Sequence, residues 1–246
     1  MASPLVRKLE HGAALSQDDR ARLEEAARDV RGVGPRHDLI GEGDRPEEVH
    51  LILEGFACRY KMLPGGERQI MAFLVPGDFC DLHVAILGEM DHGIATISPC
   101  KVAYIPQRTI DELTSKHPAI ARALWWATLV DDGTLREWIV NMGRRSADEQ
   151  MAHLLCELLL RLESVGLAHE NGFDFPVTQE ELADTLGLSN VHVNRVLQQL
   201  RETGMITLTG RRLTIHDVDR LQEFAGFNPN YLHLVKRARP TRERAA

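Results

Sequence analysis

Cysteine is scarce in this chain: Cys58, Cys80, Cys100 and Cys156 are the four among 246 residues, and no two form a C-x-x-C pair. That spacing excludes a disulfide framework or a compact zinc finger and points to a reducing cytoplasm. Long apolar runs are missing too. No stretch reaches the roughly 18 apolar residues that a membrane span needs, and MASPLVRKLEHGAAL lacks a signal-peptide core, so insertion and secretion are not expected. Nor is there an excess of positive charge, since the net charge is −7. The deficit is uneven: residues 1–169 carry 26 acidic and 19 basic side chains, whereas residues 170–246 carry 10 of each. The C-terminal part is therefore the one able to approach a polyanion without repulsion. With 43% hydrophobic and 26% charged residues, the composition is that of a folded globular protein, long enough for one large domain or two ordinary ones.

Residues 16–30, SQDDRARLEEAARDV, read as a short amphipathic helix with Ser16 as N-cap and Leu23, Ala26, Ala27 and Val30 as its apolar positions. From 33 to 105 short apolar runs (VHLILEG, FACRYKML, RQIMAFLV, IATIS, KVAYIP) alternate with turn signals at Gly41, Gly43, Pro64-Gly65-Gly66, Pro76-Gly77 and Ser98-Pro99. This rhythm predicts a small antiparallel jelly roll, a double-stranded β-helix. Beyond Pro106 the pattern turns helical, and Pro118 opens a helix reaching about Arg145. Its apolar residues, among them Ile120, Val130, Leu135, Ile139 and Met142, occupy more than one face. Some 28 residues span about 42 Å, more than a small sandwich covers. The second face calls for a partner, most simply the same helix of a second copy. Leu124, Ala127, Asp131, Thr134 and Trp138 are expected to line that seam.

The helix that follows opens on a capping box, Ser146 with Glu149, and stops at Gly166. Next, VTQEELADTLGLSNVHVNRVLQQLRETGMITLTGRRLTI holds two capped helices, begun by Thr178 with Glu181 and by Ser189, around Gly187. Leu182, Ala183, Leu186, Val193, Val196 and Leu197 are spaced to lock the pair, which is a helix-turn-helix signature. After Gly204 the chain reads as a hairpin turning at Thr209-Gly210, a wing with Arg211 and Arg212 at its tip.

In this order the segments resemble the CRP/FNR family of bacterial transcription regulators, through PGDF (Pro76 to Phe79), SADEQMA and ELADTLGLSNVHVNRVLQQLRETGMI. The resemblance implies an α+β fold: a sensor barrel over 1–117, a dimerisation helix over 118–145 and a winged helix-turn-helix domain over 146–246. It also implies a homodimer on palindromic double-stranded DNA, RNA polymerase as protein partner, a small-molecule effector, and no enzymatic role. Thr178 and Ser189 lie at helix N-termini, where backbone N–H groups receive phosphates. Asn190, Val191, Asn194 and Arg195, with His192 nearby, are the expected base-reading group, and Arg211 and Arg212 the wing contacts. Arg195 alone is shared with the best-known members, so their operator sequence does not transfer.

By the same resemblance the effector pocket comprises Gly77, Asp78, Phe79, Cys80, Leu82, His83, His92 and Gly93. Where cyclic-AMP-binding members carry a ribose-binding glutamate and a phosphate-binding Arg-Ser pair, this chain has Leu82 and His92-Gly93. Cyclic AMP held in the usual way is thereby rejected, because a cyclic phosphate needs a permanent cation and short donors. An iron–sulfur cluster of the oxygen-sensing type is rejected as well, since residues 1–57 contain no cysteine. Three alternatives remain beside an unidentified effector: a haem or metal held near Cys80, His83 and His92 with Glu89 and Asp91 close by; a redox switch at Cys80 or Cys100; and a jelly-roll metal enzyme using His37, His50, His83 and His92. No metal ligand is assigned, Cys80 reading as a small buried hydrophobe and the histidines as loop residues.

Overall fold

Strand pairing follows the turn signals. In the computed structural model, which describes residues 2–234, the N-terminal half holds β1 (Val30–Val33), β2 (Asp38–Ile40), β3 (Glu48–Glu54), β4 (Ala57–Met62), β5 (Arg68–Leu74), β6 (Gly93–Thr96) and β7 (Cys100–Pro106). They form two antiparallel sheets, ordered β1-β7-β3 and β2-β6-β4-β5. Both faces of the second sheet are covered. Ala57, Leu74 and Ile94 point into the barrel beside Leu51 and Val102, while their strand neighbours Cys58, Phe73 and Ala95 point outward into a second core. Period-two alternation thus serves two cores at once.

Helices α1 (Pro4–Leu9), α2 (Gln17–Ala26), α3 (Val84–Leu87), α4 (Gln107–Lys116) and α5 (Pro118–Arg144) complete this half. The capping box of α2 forms at Ser16 and Asp19, but the helix stops at Ala26 and does not reach Val30. Sheet pairing overrides helical periodicity here: Val30 pairs with Ala103, and the Tyr104 N–H donates to the Asp29 carbonyl at 2.9 Å. The unanticipated α1 is capped by Ser3, starts on Pro4 and buries Leu5, Val6 and Leu9.

The second core is built by α6 (Ala147–Ser164), which opens on the expected Ser146–Glu149 capping box and carries Met151, Leu155, Leu158 and Leu162 between the outer face of the barrel and the C-terminal elements. These are β8 (Gly172–Asp174), α7 (Gln179–Leu186), α8 (Asn190–Glu202), β9 (Ile206–Thr209), β10 (Arg212–Ile215) and α9 (Val218–Phe224), with a sheet ordered β8-β10-β9. The hydrophobic core therefore does not divide at residue 146. No helix among the described residues is long and apolar enough to cross a membrane.

The α5 stripe expected at the seam faces inward in this chain. Leu124, Ala127, Thr134 and Trp138 are buried within their own chain, and Asp131 accepts a hydrogen bond from Arg59 at 3.0 Å. That stripe is what packs α5 onto its own domain. The face left open carries Trp125 (65% exposed), Leu129, Leu135, Ile139 (67% exposed), Val140 and Met142.

Candidate functional site

Caps and one glycine fix the helix-turn-helix. The Thr178 hydroxyl accepts from the Glu181 N–H at 3.2 Å, and the Glu181 carboxylate accepts from the Thr178 N–H at 2.6 Å, so α7 begins on a closed box. It ends at Gly187, whose φ of +64° suits a residue without Cβ. Two residues on, Ser189 accepts from the His192 N–H at 3.3 Å and starts α8. Leu182, Ala183 and Leu186 share a buried cluster with Val193, Val196 and Leu197, and this contact sets the rotation of α8. Asn190, Val191, Asn194 and Arg195 are consequently all exposed, Val191 by 81%, with His192 half-buried on the flank.

Arg195 makes no hydrogen bond or ion pair among the described residues. Its fork is free for the two acceptors of a guanine edge, the Asn190 and Asn194 amides for adenine, and the Val191 methyls for a thymine methyl. Ser189 uses its hydroxyl as a cap, so a phosphate would meet the first-turn N–H groups. The Thr178 hydroxyl is likewise committed to Glu181, which makes Thr178 chiefly a residue that positions α7. The wing turns at Gly210, φ +60°, between Thr209 and Arg212. Arg211 projects from it, whereas Arg212 donates to the His169 carbonyl at 3.0 Å and ties the wing to the loop before β8.

The residues expected around an effector do not all converge. At Gly77 φ is +97°, and a Cβ would stand 2.9 Å from the Pro4 carbonyl oxygen, so only glycine fits. Asp78 is fully buried and is committed to its own chain: it pairs with Lys8 and, at 2.6 Å, with Arg161, beside a small cleft that all three line. Burial alone would raise its carboxyl, but Lys8 and Arg161 together overcome it and hold it down at about 2. Arg161 also pairs with Glu157 at 3.0 Å, and Glu157 accepts from the Trp138 ring N–H and the Tyr231 hydroxyl. This buried chain of charges joins α1, the turn after β5, α5 and α6. Lys8, Glu157 and Arg161 were missed in the sequence, although a Glu and an Arg four apart in the apolar HLLCELLLRL signal a buried pair.

Phe79 and Cys80 are buried, with both carbonyls bonded by Arg59, and Gly93 lies under Tyr60, whose ring a Cβ would approach to 2.6 Å. Leu82 and His83 do line a cavity, of about 280 Å³, together with Leu87, Ile110, Leu124 and Trp125. No lysine or arginine is among its walls, and Asp111 is. The residues present do not fit a cyclic phosphate. Burial pushes the Cys100 thiol up to about 11, those of Cys58 and Cys156 to about 12, and Cys80 well above its ordinary value, so the reactive thiolate is suppressed at each. Of the four histidines weighed for a metal enzyme, His50 is held by Asp81 at 2.7 Å and His37 lies at the surface, while His83 and His92 stack on each other at 5.5 Å.

A capped recognition helix with a free polar row, a wing, and a long helix leading to a sensor barrel define a DNA-binding regulator. Residues 149–224 match the Crp-like helix-turn-helix domain and residues 31–117 the cyclic nucleotide-binding domain. Over 194 residues the chain is 31% identical to the transcriptional activator protein FnrL of Cereibacter sphaeroides, covering 76% of this chain and 77% of that one. It is 26% identical over 225 residues to the nitrogen fixation regulation protein FixK of Azorhizobium caulinodans, covering 90% of each. The structure of FixK2 from Bradyrhizobium japonicum is similar with a TM-score of 0.72 at 26% identity, over 79% of this chain and 96% of that one. The chain belongs to the CRP/FNR family, and it is a transcription regulator that binds DNA.

Proposed function

We propose that the protein works in the cytoplasm as a homodimer, paired along α5, that places two copies of α8 in successive major grooves of a two-fold symmetric site. The observation that carries this reading is the row Asn190, Val191, Asn194 and Arg195, exposed on one side of α8. Two copies related by a two-fold axis read a sequence and its inverted repeat, with half-sites about 10 base pairs apart. Pairing is supported by the open apolar face of α5, because a soluble helix rarely leaves so much apolar surface to water. Arg211 then reaches a phosphate, while Arg212 holds the wing in place. RNA polymerase is the partner through which occupancy of the site changes transcription, and the effector is a molecule other than a cyclic nucleotide held in the usual way. The experiment is sedimentation equilibrium of the full chain: twice the chain mass is expected, and a monomer at micromolar concentration would overturn the proposal.

A further inference from the structure

We propose that His83 and His92, with Asp91 beside them, bind a divalent transition-metal ion of the zinc class in the sensor domain. The site stands on its own residues and does not rest on how the protein reads DNA. His83 immediately precedes α3, and Asp91-His92 leads into β6, so the loop between them folds back on itself. One ligand atom from each of the three residues lies within 4.8 Å of the other two, and no other such trio of His, Cys, Asp or Glu occurs among the described residues.

Two features point to an ion. The Nε2 atoms of both histidines are buried and have no hydrogen-bond partner. Buried polar atoms are nearly always satisfied, so two orphans on stacked rings mark a place where something else completes them. In addition, His92 Nδ1 lies 2.5 Å from an Asp91 carboxylate oxygen. With Nδ1–H donating to the carboxylate, the lone pair of His92 is on Nε2, which is the carboxylate–histidine arrangement that orients metal-binding imidazoles.

The electrostatics agree. The nearby Arg59 guanidinium is already engaged by Asp131 and by the Phe79 and Cys80 carbonyls. Imidazole and carboxylate suit Zn²⁺ and its first-row neighbours, and so few protein ligands leave positions open for water or a small ligand. Since His83 also lines the cavity against α5, an ion here would pin the 83–92 loop beside the long helix.

The test is titration of the chelator-stripped full chain with Co²⁺ and then Zn²⁺. One Co²⁺ per chain is expected, giving a visible absorption band that one equivalent of Zn²⁺ abolishes. His83→Gln and His92→Gln should each weaken binding by about 100-fold or more, and Asp91→Asn, at an exposed carboxylate, by about 10- to 100-fold. The surface change His37→Gln should leave it unaltered. Absence of the band in the wild-type chain, or equal affinity in the wild-type and Asp91→Asn proteins together with a band that survives in folded His92→Gln, would overturn the proposal.

Discussion

Arginines in this chain divide by what they touch. Arg59, Arg145 and Arg161 are half-buried or deeper and bonded to carboxylates and carbonyls of their own chain, whereas Arg195 and Arg211 have no side-chain partner among the described residues. The free pair should behave differently on DNA. Arg195→Ala is expected to weaken specific binding by about 1–3 kcal/mol and to relax discrimination at one base pair of each half-site. Arg211→Ala should weaken all duplexes alike and lower the salt slope by about one. Fluorescence anisotropy on a panel of single-base operator variants, at several salt concentrations, separates the two; uniform loss from Arg195→Ala would move it to the phosphate-binding class. Asp78 works inward. Its folded value of about 2 lies below the ordinary 3.8, so its ionised form adds stability above about pH 4, and that contribution disappears as the pH falls from about 4 to 2. Asp78→Asn leaves Lys8 and Arg161 without their shared partner and should cost about 3–5 kcal/mol at pH 7 and much less near pH 2. Urea unfolding at both pH values checks this, and equal stability of the two proteins at pH 7 would contradict it.

The faces of α5 carry opposite consequences. Leu124 and Trp138 lie in the core, so a glutamate at either should unfold the chain, a buried unpaired charge being worth several kcal/mol. Ile139→Glu, on the open face, should leave the circular dichroism spectrum intact and split the dimer in sedimentation; a folded Ile139→Glu dimer would place the seam elsewhere. The caps, Gly187, the wing turn and the bounds of α5 were legible because each depends on a local device: a side-chain cap, a left-handed glycine, a first-turn proline. Which stripe of α5 faces inward was not, since both are apolar and periodicity does not say which one the barrel takes. Tertiary pairing likewise hid the end of α2, where Val30 leaves the helical pattern for Ala103. RQIMAFLV was readable as a strand, yet its apolar residues on both faces are what reveal a sheet covered twice.

The barrel and the DNA-binding elements share one core and are also stitched by Arg68 to Asp184 at 2.7 Å and Gln69 to the Thr185 carbonyl at 3.2 Å. These contacts tie β5 of the barrel directly to α7. Each lost bond to a charged group costs about 1.5–3 kcal/mol, so two acting independently weaken cyclic AMP by about 100- to 10,000-fold. Isothermal titration should show no binding in the micromolar range; a micromolar dissociation constant would mean that other residues hold the nucleotide. The effector segment was the least legible part, because the PGDF turn is structural here: Gly77 and Asp78 serve contacts with α1 and α6, and their partners lie far away in sequence. The most direct test of the central claim is selection from a random duplex library by the wild-type and Arg195→Ala proteins in parallel. An inverted repeat with half-site centres about 10 base pairs apart is predicted for the wild type, with one position per half-site degenerate in the variant. An enriched site without two-fold symmetry, or one read identically by both proteins, would contradict it.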